Sequence, residues 1–312
     1  MGFTVVSYGE ALLDLLPTGA VLGGAPLNFA YRINSLGNRG VIISRLGRDE
    51  LGQRALKQIA GLGMERSFIQ SDEKHPTGRV EICFDDSKNP DYTIIEDVAY
   101  DHIELQDRLS NLISQSDCLC FGTLAQRSPT SRKTLWRLLD EFSGSFAFLD
   151  INLRRNCYSE ETICHSLNKA NVVKLNEEEL NVLAEIYGLG GKSLPEIVQS
   201  LVKKATLKYC VVSLGHQGAF AASNDGEMVY APGFQVDLAD PCGAGDAFSA
   251  GFIHSLLNEE PLQDACRFGN ALGALVARQQ GATQPITHQE IKDFVAGRKC
   301  SSGDARLRDL LV

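Results

Sequence analysis

The 312-residue chain lacks any continuous apolar run of the ~18 residues that a membrane-spanning helix needs. Its first residues, 1–6, show no basic segment followed by a long apolar stretch, so no secretory signal is visible. Basic residues are also scarce, because 30 Lys and Arg stand against 39 Asp and Glu, a net charge of −9. Nucleic acids and anionic membranes repel such a surface. We therefore predict partners that are neither nucleic acids nor membranes.

The nine cysteines include no C-x-x-C pair, and their spacing is irregular. An odd number without such pairs argues against a structural zinc site and against a disulfide framework. Reduced thiols suit a reducing compartment, so a cytoplasmic location is predicted. With 44% hydrophobic residues over this length, the chain can bury a sizeable core without cross-links.

Short apolar segments alternate with helical patterns along most of the chain. The predicted strands cover residues 3–8, 41–46, 118–121, 146–149, 172–175 and 209–214. The predicted helices cover residues 26–36, 51–60, 134–142, 177–186, 194–204, 248–257 and 262–277. Because the strands are apolar throughout, we expect them to be buried on both faces. This pattern predicts an α/β fold with a doubly wound, mostly parallel central sheet flanked by helices.

One region follows a different pattern. Residues 79–84 alternate polar and apolar side chains, a turn-rich segment follows, and a second short strand pattern covers 92–95. This indicates a hairpin with one face in solvent. Because this hairpin interrupts a series of alternating strands and helices, we predict that it forms a flap or an edge of the fold and is not part of the core.

The strongest chemical signal is the sequence Asp-Pro-Cys-Gly-Ala-Gly-Asp-Ala-Phe at 240–248, directly before a predicted helix. Gly243 and Gly245 allow a tight turn and expose backbone N–H groups at a helix N-terminus, which attracts anions. Asp246 would then lie in the first helical turn and could handle a proton while the amides hold a phosphoryl group. On spacing alone, a plain glycine turn with Asp as an N-cap explains the motif equally well.

Residues 240–248 resemble the D-T/P-x-G-A-G-D-x-F signature of the ribokinase-like (PfkB-type) carbohydrate kinases. A second signature of that family lies near the start of the chain, with Gly-Gly-Ala-Pro-x-Asn at 23–28 and Leu-Gly-x-Asp-x-x-Gly at 46–52. Shorter matches lie at residues 9–14, 36–37, 150–154, 176–179 and 214–218. Residues 9–17 and 121–127 are most similar to the fructokinase branch. The resemblance implies a single ribokinase-like domain over 1–312 and an ATP-dependent sugar kinase.

The catalytic residues follow from this resemblance. It implies that Asp246 is the base that takes a proton from a sugar hydroxyl. It also implies an anion hole formed by the N–H groups of Gly243, Ala244, Gly245 and Asp246. Arg154, in the Asp-x-Asn-x-Arg match, would neutralise charge on the transferring phosphate.

The resemblance implies a second group of residues that bind ATP and its cations. Asn176 and Glu179 would organise Mg²⁺ through water, although three successive glutamates at a helix start are explained locally by the helix dipole. Asp240 would bind a monovalent cation such as K⁺. The remaining nucleotide contacts implied are Leu214, Gly215, Gly218 and Asn270.

Asp14, Gly24 and Asn28 match the family's sugar-binding residues, and a carboxylate with an amide suits neighbouring hydroxyls. The resemblance also implies a small β lid formed by about 12–25 and 77–100, and a homodimer in which lid strands of two subunits pair. Cys242 stands where the family commonly has a hydroxyl residue. A thiol beside an anion hole is expected to have a lowered pKa and to be sensitive to oxidation, and the alternative is a small buried side chain.

The substrate expected is free D-fructose, converted to fructose 6-phosphate. Alternatives within the family are 2-keto-3-deoxygluconate and ribose. A carboxylated or phosphorylated substrate needs extra positive charge near the lid, where only Lys74, Arg79 and Lys88 occur, so a neutral sugar is favoured. A further alternative is a sugar- or nucleotide-sensing protein that has the kinase fold but has lost catalysis. The intact Asp246 and its glycines argue against this alternative. An adaptor without a small-molecule site explains none of these residues.

Overall fold

The computed structural model describes residues 2–16, 19–84, 90–154, 156–190, 193–298 and 300–310. Within these ranges, only the backbone is described at 82–84 and 90–92. Its strands are β1 Thr4–Tyr8, β2 Leu12–Leu16, β3 Gly19–Gly23, β4 Arg39–Gly47, β5 Ile69–Asp72, β6 Gly78–Phe84, β7 Pro90–Ile94, β8 Cys118–Phe121, β9 Phe146–Asp150, β10 Val172–Asn176, β11 Tyr209–Ser213, β12 Gly218–Ser223 and β13 Met228–Pro232. Its helices are α1 Ala25–Ser35, α2 Glu50–Gly61, α3 Asp107–Ile113, α4 Pro129–Glu141, α5 Glu160–Lys169, α6 Glu177–Ile186, α7 Leu194–Lys204, α8 Ala244–Leu257, α9 Leu262–Ala277 and α10 His288–Gly297.

A nine-stranded sheet forms the centre, in the order β13-β12-β11-β10-β9-β8-β1-β4-β5. The seven strands from β11 to β5 in this order are parallel, and at one edge β12 pairs antiparallel with both β11 and β13. The winding direction changes between β1 and its neighbour β8, and ligands of such sheets bind at the carboxyl ends of the strands near that point. The predicted doubly wound, mostly parallel sheet is confirmed.

Helices cover both faces of this sheet, which explains why its strands are apolar throughout. In β1, Val5 packs in a cluster with Phe29 of α1 and Phe252 of α8. The next residue, Val6, packs on the opposite face in a cluster with Leu135 of α4. Successive side chains of a strand point to opposite faces, and each such burial stabilises the fold by ~1.5–3 kcal/mol.

A second, four-stranded sheet has the order β3-β2-β6-β7. Strands β6 and β7 pair antiparallel, as the predicted hairpin requires, and β2 pairs with β6 in parallel. The hairpin's turn at 85–89 lies outside the described residues. Both segments predicted to form the lid thus contribute strands to one sheet, while its movement as a lid, and the one-domain organisation, stay predictions.

The start of α8 matters most for the site. The apolar pattern predicts a helix from 248, but the helix begins at Ala244, so Asp246 lies within its first turn. No helix in the described part of the chain combines the length and the apolar character that crossing a membrane requires.

Candidate active site

The candidate residues gather at one edge of the central sheet, where its parallel strands end. Glu10 follows β1, Asp150 ends β9, Asn176 ends β10 and Leu214 follows β11. The N-terminus of α8 faces the same region, because Gly245 lies beside Lys174 of β10. Residues that are far apart in the sequence therefore meet at the edge where the topology favours a ligand.

The turn into α8 requires glycine at one position. Gly243 adopts φ +76°, and a Cβ there would lie 2.3 Å from the Cβ of Ala282. Because first-turn N–H groups have no partner within their own helix, they are open to an anion. The N–H of Ala244 instead donates to the Pro241 carbonyl at 3.2 Å. Of the four amides expected to form an anion hole, Ala244 is thus already engaged.

Asp246 is held by a residue from the other end of the chain. Its Oδ2 accepts a hydrogen bond from Asn28 Nδ2 of α1 at 2.8 Å. Burial raises the pKa of Asp246 to about 6, while the Asn28 hydrogen bond opposes the rise. A carboxylate with a pKa in this range can accept a proton near neutral pH, as a general base must.

The predicted sugar-binding residues lie around Asp246. Asp14 is in β2, and Gly24 directly precedes α1 at φ +111°, where a Cβ would lie 2.4 Å from the carbonyl oxygen of Glu10. Burial raises the pKa of Asp14, and the positive charge of Arg154 opposes that rise. The same Arg154 charge acts on Asp246, so the structure brings these predicted residues within electrostatic reach of one another.

The sequence interpretation missed Lys174. This buried ammonium group lies 3.0 and 3.3 Å from the two carboxylate oxygens of Asp150, one of which also accepts from Ser249 Oγ at 2.7 Å. A Cβ added at Gly245 would lie 3.5 Å from Lys174 Nζ, so the cation borders the first turn of α8. A lysine within the otherwise apolar strand at 172–175 was the available signal.

Glu10 was also missed as a site residue. It is buried, and burial raises its pKa to about 7, an effect that hydrogen bonds and the charge of Arg154 partly offset. The negative charge of Asp246 contributes to the rise, which shows that the two carboxyl groups are neighbours. Its position immediately after the first strand, within the fructokinase-like segment 9–17, was the available signal.

Asn176 and Glu179 form a reciprocal cap at the start of α6. Asn176 Oδ1 accepts from the N–H of Glu179 at 2.9 Å, and Glu179 Oε2 accepts from the N–H of Asn176 at 2.8 Å. Glu179 Oε1 accepts from the N–H of Leu153 at 2.9 Å, which anchors the residue before Arg154. These contacts support the local capping explanation for the pair, and its predicted link to Mg²⁺ stays a prediction.

The predicted nucleotide contacts lie along the same edge. Gly215 and Gly218 both have positive φ, and the N–H of Leu214 donates to the Gly218 carbonyl at 2.7 Å, closing a tight turn between β11 and β12. Asn270 is buried, and its Nδ2 donates to the carbonyl of Ala231 at 2.9 Å. That bond ties α9 to the end of β13, so the amide has a structural role beside any nucleotide contact.

Asp240 and Cys242 lie just before α8. Asp240 accepts hydrogen bonds from the N–H groups of Cys242 at 2.9 Å and Gly281 at 3.0 Å, which fixes the loop. The expected low pKa of Cys242 is wrong. Loss of water around the sulfur, together with the negative charges of Asp14, Asp240 and Asp246, raises the pKa of Cys242 to about 11.

The sequence profile of the pfkB family of carbohydrate kinases matches residues 17–289, most of the chain. The chain therefore belongs to the pfkB carbohydrate kinase family, and the predicted family and the predicted sugar phosphotransferase class are confirmed. The resemblance implied a mostly parallel central sheet, a small second sheet and a glycine turn before a helix, and the structure contains all three.

Individual relatives agree with this. The fructokinase of Escherichia coli is 28% identical over 300 residues, covering 90% of this chain and 95% of its own. A fructokinase double mutant from Vibrio cholerae O395, solved with fructose, ADP and potassium ion, is similar with a TM-score of 0.78 and 24% identity, covering 95% and 99% of the two chains. The 2-dehydro-3-deoxygluconokinase of Thermotoga maritima reaches a TM-score of 0.80 at 18% identity, covering 95% and 99%. The ribokinase-like fold is confirmed, and the fructokinases among these relatives support the predicted fructokinase-like branch.

Proposed function

We propose that the protein transfers the γ-phosphoryl group of ATP to free D-fructose and forms fructose 6-phosphate. The observation that carries this proposal is the Asp246 carboxylate, held by Asn28 at 2.8 Å in the first turn of α8 beside Gly243 and Gly245. A base and a group of backbone amides at one helix start supply what phosphoryl transfer to an alcohol needs.

In the proposed mechanism, Asp246 takes the proton of the sugar hydroxyl as that oxygen attacks the γ-phosphorus. The new O–P bond forms while the bond from phosphorus to the β–γ bridging oxygen breaks, and ADP leaves. The amides of Gly243, Gly245 and Asp246 stabilise the charge on the transferring group, and Arg154 and Lys174, whose charges both act on Asp246, add positive charge. Such fixed donors and cations cost no rearrangement during the reaction.

The charge around the proposed sugar pocket favours a neutral substrate. Glu10, Asp14 and Asp246 bring carboxyl groups to this region, and burial raises the pKa of each. A substrate carboxylate or phosphate would add negative charge to this group of carboxyls, on which the positive charge of Arg154 also acts. Asp14 and Asn28 are suited to neighbouring hydroxyls, since one accepts hydrogen bonds and the other both donates and accepts.

Mg²⁺ would enter with ATP and supply charge neutralisation at the phosphates. The buried Glu179 carboxylate and Asn176 fit a water-mediated role, because Mg²⁺ keeps several of its waters. Asp240, with both oxygens accepting backbone N–H groups, orders the loop in which a K⁺ ion would bind carbonyl oxygens.

The second sheet is proposed to close over the sugar as a lid and to pair with its counterpart in a homodimer. Closure would exclude water and suppress ATP hydrolysis. The eight described cysteines are all unpaired, which fits the reducing cytoplasm that we propose as its location.

A substrate screen tests the proposed function. The purified chain is assayed for ADP release with ATP and Mg²⁺ over fructose, ribose, glucose, 2-keto-3-deoxygluconate and adenosine, with K⁺ present or replaced by Na⁺. We expect fructose to give the highest kcat/KM, and an enzymatic assay to identify the product as fructose 6-phosphate. Turnover of 2-keto-3-deoxygluconate without turnover of fructose would refute the substrate, and no ADP release with any sugar would refute the kinase mechanism.

A further inference from the structure

Two histidines and an aspartate meet at the roots of the β6–β7 hairpin, away from the candidate active site. His75 lies in the segment between β5 and β6, and Asp97 and His102 lie in the segment after β7. One potential ligand atom from each residue lies within 4.8 Å of the other two. It is a group of three potential metal ligands within the described part of the chain, and the proposed kinase reaction uses none of its members.

The distances suit a small transition-metal ion. Asp97 Oδ1 accepts a hydrogen bond from His102 Nε2 at 2.8 Å and lies 3.9 Å from His75 Nε2, so a bound ion would replace the proton between Asp97 and His102, which is released to solvent. Ligands about 2.0–2.2 Å from a tetrahedral zinc ion are separated from one another by about 3.3 Å, a value between these two distances. The imidazole rings lie stacked, with centroids 3.6 Å apart, so both would turn about their side-chain bonds to direct Nε2 at a shared ion.

A buried carboxylate prepares one of the histidines for this role. Asp72, whose side chain is fully buried, lies 3.0 Å from His75 Nδ1. This contact holds the proton on Nδ1 and leaves the Nε2 lone pair free, the arrangement in which a second carboxylate orients a metal-binding histidine.

Three cationic side chains, Arg45, Arg48 and Lys74, line the cleft beside these ligands. Two of them are neutralised by carboxylates: Arg45 is paired with Asp72 at 2.6 Å and with Glu104 at 3.1 Å, and Arg48 is paired with Glu73. The side chain of Asp97 is 78% exposed, and His75 and His102 line a surface cleft of about 390 Å³. Water can therefore complete the coordination.

We propose that His75, Asp97 and His102 bind a divalent transition-metal ion of the zinc type, with Asp72 orienting His75. Two imidazoles select such an ion over Mg²⁺, which prefers oxygen ligands. The ion would join the entrance and the exit of the β6–β7 hairpin to the end of β5, and so stiffen the base of the second sheet.

Titration of the tag-free full-length chain with Co²⁺ and Zn²⁺, followed by calorimetry and by the visible absorption of Co²⁺, tests the site. We expect one ion per chain, no displacement by excess Mg²⁺, and slower amide exchange at 73–77 and 95–102 when Zn²⁺ is bound. His102→Ala should abolish binding. Asp97→Asn should weaken it at least tenfold, and it should keep the fold because Asn tolerates the φ of +54° found at Asp97.

His288→Ala is the matched control, since His288 also lies close to a second histidine, His254, with ring centroids 6.1 Å apart. Unchanged Co²⁺ binding in this variant supports the proposal. Unchanged binding in His102→Ala and Asp97→Asn, loss of binding in His288→Ala, or a strong cobalt–thiolate absorption would each overturn it. The outcome does not depend on whether the protein phosphorylates fructose.

Discussion

At the scale of single residues, Asp246 combines two opposing influences. Burial and the nearby negative charge of Asp150 favour its neutral form, while Asn28, Lys174 and Arg154 favour its ionised form. The result is a pKa of about 6, so the group is ionised but not strongly acidic at neutral pH. This balance is what a base for a sugar hydroxyl requires.

Removing that base should stop turnover without loosening nucleotide binding. For Asp246→Asn we expect kcat to fall by about two to four decades, the usual range for loss of a general base. The wild-type kcat/KM should decline below about pH 6, where Asp246 takes up a proton. Steady-state kinetics and nucleotide titration measure both quantities, and near-normal turnover in the variant would exclude Asp246 from the mechanism.

The same substitution should stabilise the protein, with a defined pH dependence. The pKa of Asp246 rises from 3.8 to about 6 on folding, so wild-type stability is lost as pH rises between these values. Asn carries no charge to bury. We expect Asp246→Asn to be more stable by on the order of 1–3 kcal/mol at pH 8, with no difference near pH 3.8 in urea unfolding. An equal difference at both pH values would contradict this origin.

Lys174 offers a test that separates stability from chemistry. Lys174→Met leaves the buried Asp150 without its cationic partner and with only the Ser249 hydrogen bond, which should cost about 3–5 kcal/mol. The double variant Lys174→Met, Asp150→Asn removes both charges and should recover most of that stability. If the ammonium group acts on the transferring phosphate, kcat stays low in the double variant. Recovery of kcat together with stability would reduce Lys174 to a structural role.

At the scale of elements, the first turn of α8 makes different demands on its two glycines. Gly243 has φ +76° and no room for a Cβ, whereas a Cβ at Gly245 would meet Lys174 Nζ at an ordinary 3.5 Å. Gly243→Ala should therefore lower both stability and activity. Gly245→Ala should keep the fold and lower kcat at least tenfold by obstructing the anion site.

Thermal unfolding and kinetics of both variants check this expectation. Gly61→Ala is the matched control, because a Cβ at that helix end meets nothing within 4 Å. It should leave kcat unchanged and should not lower the unfolding temperature, since alanine at an unstrained helical position is neutral or stabilising. Normal kcat in Gly245→Ala would argue against an anion site at this turn.

The elements that the sequence predicted are those whose pattern is local. Buried strands such as β8 and helices such as α7 and α9 follow directly from apolar periodicity. Strand β12, with the sequence Gly-Ala-Phe-Ala-Ala-Ser, carries little β-branched character and is defined by its pairing with β11 and β13. Its place in the sheet could not be predicted from its own residues.

The candidate active site likewise contains residues that a local motif predicts and residues whose role depends on distant segments. Asp246 and its glycines form a contiguous motif that can be recognised without coordinates. The role of Lys174 depends on Gly245, which lies in another element, and the pKa of Cys242 depends on carboxylates from distant segments. Such properties arise from three-dimensional neighbours, which sequence spacing does not record.

At the scale of the whole molecule, the proposed pairing of lids predicts a dimer of twice 34.0 kDa in sedimentation experiments. Val21 on β3 is 41% exposed and lies at an open edge of the second sheet. Val21→Asp should shift the chain toward the monomer, because a charge would be buried on association. Leu105→Asp, at a similarly exposed residue outside that sheet, should not. A monomeric wild-type chain at micromolar concentration would refute the dimer.

The hydrogen bond between Asn28 and Asp246 spans 218 positions of the chain. During synthesis at about 5–20 residues per second, roughly 10–40 s separate the appearance of the amide from that of its carboxylate. A polypeptide that stops before residue 246 would therefore carry the amide of Asn28 without the carboxylate that we propose as the catalytic base.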